Sequence, residues 1–249
     1  MPGPIPFASE MLAIIAIGLL LAGIIKGATG LGYATCALPF LVYAVGLEDA
    51  IALVLLPAMA TNVAVALGNG HLRETLHDFA PLYLAMLPGI ASGAAMLTWV
   101  DAAIPVKLLG TSIVAYAAFA LLRPGLQLPP RLVSMLQIPV GFSNGVLTGL
   151  TGSQVMPLVP YVMAARLAPP RAVQAINLGV MLASAVLLAG LLLAGVVTPT
   201  MLALSVAAIA PALLGVEFGQ RIAAGVSEPV FRAMVLVVLL IAGLGMLAR

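Results

Sequence analysis

Two glycine-rich stretches hold the residues best placed to do chemistry. One is Gly27 to Gly32, with Thr29 and Gly30 before Leu31; the other is Gly149 to Gln154, with Thr151, Gly152 and Ser153. Each ends one apolar segment and begins the next with no polar loop between them. Non-helical backbone at membrane depth survives only where protein or a watery cavity surrounds it. A helix that starts there exposes unpaired N–H groups and its positive dipole end, and glycine lets a ligand approach the backbone. That combination suits an anion. The expected contacts are Thr29, Gly30, Gly32, Thr151, Gly152, Ser153 and Gln154. A competing reading makes Gly23-xxx-Gly27 and Gly141-xxx-Gly145-xxx-Gly149 close-packing helix faces. It accounts for the helical glycines but not for the threonine, serine and glutamine beside them.

Other polar residues fall inside apolar runs. Lys26 is the one cation there, and a cation in lipid must snorkel, pair or meet an anion. It is either an anion contact or the mark of a helix end. Asn62 lies deep in the third run and Asn177 near the start of the eighth, and a buried amide needs partners, as cavity lining or as interhelical hydrogen bonds. Tyr33 and Gln154 occupy the first turns after the joints, where they donate to an anion or cap the helix; Tyr33 could also stack on an aromatic substrate. Glu217 is the one carboxylate within an apolar segment. Arg221 follows four residues later, which favours an ion pair over a proton relay for coupling. His71 and His77 do not share a helical face, so a solvated connection is expected rather than a metal site. Trp99 beside Asp101 reads as an interfacial anchor. Cys36, the only cysteine, reads as an inert buried thiol. No histidine lies in an apolar run to serve Ser153 as a base, and HExxH, P-loop and acid-cluster signatures are missing. No enzyme activity, cofactor or metal is expected.

The elements that must position these residues follow from composition. The 249 residues are 63% hydrophobic and 7% charged, with mean hydropathy +1.22. Soluble domains carry about a quarter charged residues, so soluble enzymes, nucleic-acid binders and disordered chains are excluded together. The fold class is all-α, a polytopic membrane protein. Apolar runs cover 9–25, 33–46, 50–69, 80–98, 104–122, 132–149, 153–166, 171–194, 199–223 and 229–248. The breaks carry turn residues or charge, as at Asn69 to Asp78, Arg123 to Arg131 and Gly225 to Pro229. The first run has no basic flank before it and reads as a retained span. The second run of each set of five is too short to cross a bilayer core of about 30 Å upright and reads as re-entrant or half-depth.

The two sets repeat. Gly23-Ile-Ile-Lys-Gly27-Ala-Thr29-Gly30 matches Gly145-Val-Leu-Thr-Gly149-Leu-Thr151-Gly152 at an offset of 122, which also pairs Ala50 with Ala172, Gly68 with Gly190 and Gly93 with Gly215. Lys26 pairs with the neutral Thr148. The expected organisation is a repeat over 1–124 and a second over 125–249. Five segments per half invert the second copy. Threading then places Lys26, Arg73, Arg123, Arg131, Arg166, Arg171, Arg221 and Arg232 on one side, with only Lys107 and Arg249 opposite. The positive-inside rule makes the first side cytoplasmic and puts both termini outside.

The doubled glycine motif followed by Pro39 and Pro160, with Pro88-Gly89, Gly93, Pro211, Gly215 and Gly219, resembles the TauE/SafE family of sulfite exporters and anion permeases over nearly the whole chain. Tyr33 and Ser153-Gln154 replace some of the glycine that the family usually shows. The resemblance implies secondary transport of sulfite or organosulfonates across a bacterial-type inner membrane, by proton coupling and with a lean to uptake. The implied partners are the small anion and membrane lipid, with no nucleic acid; a homodimer is one assembly open to so small a body. A channel and a non-transporting scaffold are the rival readings.

Overall fold

The computed structural model describes residues 9–30, 32–68, 70–97, 99–122, 125–223 and 228–248, with the side chains of 9–10, 64–68 and 228–232 set aside. Expectations that fell on the first eight residues, Leu31, Asn69, Arg123, Gly225 and Arg249, or on the Arg232 side chain, lie outside that description. The described residues form twelve helices: α1 (Ser9–Thr29), α2 (Tyr33–Val45), α3 (Leu47–Gly68), α4 (Leu72–Asp78), α5 (Ala80–Leu97), α6 (Ala103–Leu122), α7 (Pro130–Thr151), α8 (Leu158–Ala164), α9 (Pro169–Leu193), α10 (Pro199–Ala207), α11 (Ile209–Ala223) and α12 (Glu228–Leu247). Five stretches are long and apolar enough to cross a membrane: Met11–Thr29, Ala80–Leu97, Ala103–Leu122, Pro169–Leu193 and Pro199–Ala223. The chain is a multi-pass helical membrane protein.

Three details depart from the hydropathy reading. The connection after Asn69 contains α4, held by the Asp78–Arg171 ion pair and by Gln137 Nε2 donating to the Asp78 carbonyl at 2.8 Å. The run 153–166 is helical only over Leu158–Ala164, because proline at 157 and 160 removes amide donors that an earlier start would use. The run 199–223 breaks at Ala208, where Pro211 cannot donate to the carbonyl of Ala207.

Packing follows the glycines. α1 lies against α11 and α5 against α7, while α3 packs on α9 and α6 on α12. A Cβ built on Gly23 would stand 2.9 Å from Gly215 Cα, and one on Gly145 would stand 3.0 Å from Gly89 Cα. Gly27 meets the Val216 carbonyl carbon at 2.8 Å and Gly149 that of Gly93 at 2.8 Å in the same sense. The backbones approach too closely for any side chain there.

The same contact recurs elsewhere with the partners exchanged. Tyr83 Oη donates to the Ala175 carbonyl at 2.9 Å, and Ser205 Oγ, 122 residues on from Tyr83, donates to the carbonyl of Leu53, 122 residues before Ala175, at 3.1 Å. Gly30 faces Val173, and Gly152 faces Ile51. One register differs from the sequence alignment. Gly89 and Gly93 occupy the places of Gly215 and Gly219, so the offset grows to 126 beyond Ser205. The four extra residues, about one helical turn, fall at the α10–α11 break.

Candidate functional site

The site is assembled from the end of α1, the start of α2 and the middles of α3 and α9. α1 ends at Gly30, whose φ of 74° is left-handed and whose N–H donates to the Lys26 carbonyl at 2.7 Å. Gly152 ends α7 in the same way, with φ 71° and its N–H on the Thr148 carbonyl at 2.8 Å. Thr29 and Thr151 each turn their hydroxyl back on the carbonyl four residues earlier, Ile25 and Leu147. α2 then begins at Gly32, φ 82°, with no side-chain cap on its first turn. The N–H groups of that turn therefore have no partner within the helix.

Lys26 is 2% exposed. Its Nζ donates to Asn62 Oδ1 at 2.5 Å and to Asn177 Oδ1 at 2.7 Å. Both amides are fixed as acceptors, because their nitrogens are already bound. Asn62 Nδ2 donates to the Ala58 carbonyl at 2.6 Å, and Asn177 Nδ2 to the Val173 carbonyl at 2.7 Å and the Gly30 carbonyl at 3.2 Å. Asn177 is the ninth residue of α9, so it stands roughly 12 Å along that helix. Lys26 is thus both in the last turn of α1 and buried in the bundle, with its amine on two helices rather than in a loop. An ammonium has three donors, of which two are used by the asparagines.

Lys26 also lines a cavity of about 20 Å³ together with Gly32, Tyr33, Asn62, Gln154 and Asn177. That is room for roughly one or two waters. Two buried polar atoms at this cavity have no hydrogen-bond partner, Tyr33 Oη and Gln154 Oε1. Gln154 Nε2 donates to Ser184 Oγ at 2.9 Å. Beside the cavity, and sharing Gly32, Thr35 and Ile176 with it, lies a vestibule of about 270 Å³ lined also by Thr29, Tyr116, Met163 and Leu239.

Six of the expected residues therefore converge: Lys26, Gly32, Tyr33, Asn62, Gln154 and Asn177. Gly30 supports them through its carbonyl, and Thr29 faces the vestibule. The second joint is different. Thr151 Oγ1 is spent on Leu147 and on the Ser153 N–H, Gly152 packs on Ile51, and Ser153 is buried away from the cavity with its Oγ unpartnered. No helix starts directly after it, since α8 begins at Leu158. Glu217 is exposed and pairs with Arg221 at 2.8 Å, on a face away from the cavity. Two further residues join the site, Thr35 in the first turn of α2 and Ser184, which stands 122 residues on from Asn62. The repeat offset could have found Ser184.

A cation, a helix start and orphaned hydroxyl and amide groups lie around one small cavity, beside a wider vestibule, in a bundle core. The sequence profile described as Sulfite exporter TauE/SafE matches residues 14–246. The chain belongs to the TauE/SafE family. That family is one of membrane transporters for sulfur anions. No curated relative and no solved structure matches this TauE/SafE chain.

Proposed function

We propose that the chain is a secondary transporter of small sulfur-containing anions, organosulfonates or sulfite, built from two inverted repeats and working by alternating access across the inner membrane. The observation that carries this reading is Lys26, held between Asn62 and Asn177 with its remaining valence free for the cavity. A sulfonate oxygen there would take the third N–H of Lys26, the first-turn N–H groups of α2 and the Tyr33 hydroxyl. The small cavity must widen to admit it, which fits a site seen between loaded states. Contacts that recur with exchanged partners support the inverted repeat over 1–124 and 125–249. Proton coupling and the lean to uptake rest on the family resemblance alone, and Glu217 is exposed and paired with Arg221.

The test is counterflow in proteoliposomes loaded with sulfite or an alkyl- or arylsulfonate, comparing the wild type with Lys26→Met. Saturable counterflow in the wild type and its loss in the variant are expected. Unsaturable flux would favour the channel reading, and no flux of any sulfur anion the scaffold.

A further inference from the structure

The vestibule and its repeat-related counterpart are not alike, and the difference points to a second route. On the vestibule side, Ala28, Thr29, Ala172 and Val173 are half-buried around open space of about 270 Å³. The residues 122 positions away are Leu150, Thr151, Ala50 and Ile51. Leu150 is 4% exposed, Ile51 1%, and Thr151 and Ala50 not at all. The same asymmetry appears in a single pair of exchanged contacts. A Cβ on Gly30 would stand 3.6 Å from Val173 Cγ1, an ordinary contact distance, whereas one on Gly152 would come within 2.7 Å of Ile51 Cγ1, too close without a shift.

We infer that the Gly152–Ile51 contact is the shut gate of a second access route on the opposite face, the counterpart of the looser Gly30–Val173 contact beside the open vestibule. In the other access state the two exchange roles. Ile51 draws away from Gly152, Leu150 and Ala50 face water, and Val173 closes on Gly30. The inference rests on the transport reading. It adds the gate residues, which that reading does not specify.

The packed core stores two discrete arrangements rather than a continuum, so the populations shift with small changes at the gates. Ile51→Val gives the shut gate the residue of the looser one, and Val173→Ile does the reverse. The experiment uses the full chain with Cys36→Ser, which removes the only cysteine, and single reporters Ala28→Cys, Val173→Cys, Leu150→Cys and Ile51→Cys. Reconstituted vesicles of known sidedness receive a membrane-impermeant thiol reagent, and counterflow is measured on the same preparations.

Ala28→Cys and Val173→Cys should react from one face, and Leu150→Cys and Ile51→Cys from the other. Ile51→Val should raise the Leu150→Cys rate severalfold and lower that of Ala28→Cys, with Val173→Ile acting oppositely. Counterflow together with Leu150→Cys and Ile51→Cys reporters that never react, or that react from the vestibule face, would overturn the gate and leave the transport reading standing. No counterflow in the Cys36→Ser parent or the wild type would sink the transport reading, and the gate with it.

Discussion

Lys26 has no carboxylate among its described partners, only two amide oxygens whose own nitrogens are tied to helix carbonyls. An interior cation so arranged is incomplete until an anion arrives. Lys26→Met should weaken sulfonate binding by about 2 kcal/mol, roughly 30-fold in Kd, as read by titration of the folded fraction in detergent, and should also lower the melting temperature, because it strands the buried Asn62 and Asn177 oxygens. Asn177→Ala should do harm of another kind. It leaves the amine and the Gly30 carbonyl short of partners, and a buried group so stranded costs about 1–3 kcal/mol of stability. Gly30 and Gly152 look equivalent in sequence, and at both the left-handed φ strains any side chain, but only at Gly152 would a Cβ also strike Ile51. Asp78 offers a titration outside the spans. Hydrogen bonds from His77 and then Arg171 hold its carboxyl below the usual carboxylate range. A depressed value adds stability at pH above the ordinary carboxylate range, and that stability is lost as pH falls through the lowered value. Arg171→Gln should flatten the acid limb of a melting-temperature profile and leave neutral-pH flux unchanged. Lys26, Asn62, Asn177, Tyr33 and Gln154 were legible in the sequence as polar residues in apolar runs. Their convergence was not, because it depends on how α3 meets α9.

At the scale of elements, hydropathy placed most helix limits within a few residues, since lipid demands long apolar runs with every backbone group bonded. It failed where proline rather than polarity decides, at residues 153–157 and at Ala208. It also missed α4, whose hold on the bundle comes from Gln137 and Arg171 on distant helices. The two readings of the glycines proved to be about different glycines. Gly23, Gly27, Gly145 and Gly149 pack against α11 and α5, while Gly30, Gly32 and Gly152 bend the chain. The alignment of Gly93 with Gly215 was a coincidence of spacing, one turn out of register. Because the α5–α7 backbones touch, Gly145→Val should cost about 1–3 kcal/mol or more and lower the melting temperature in detergent. A sulfonate added to the folded fraction should still bind with near wild-type affinity, since Gly145 is remote from Lys26 in α1.

For the whole molecule, the strongest helix pairs among the described residues join the first half of the chain to the second rather than staying within either: α1 with α11, and α5 with α7. Residues 1–124 or 125–249 alone should fail to give a stable, monodisperse protein, and co-expression of the two pieces should restore both the fold and counterflow. Size-exclusion profiles of the separate and joint preparations check this. The matching glycine motifs were readable in the sequence, but the helix partners were not, because sequence similarity says nothing of which helix packs on which. The pairing also sets a clock. α1 leaves the ribosome about 180 residues before α11 begins, which at roughly 5–20 residues per second is a delay of about 10–40 s. Throughout that interval the glycine groove of α1 faces lipid or an assisting insertase instead of its mate, so α1 is made early and buried late.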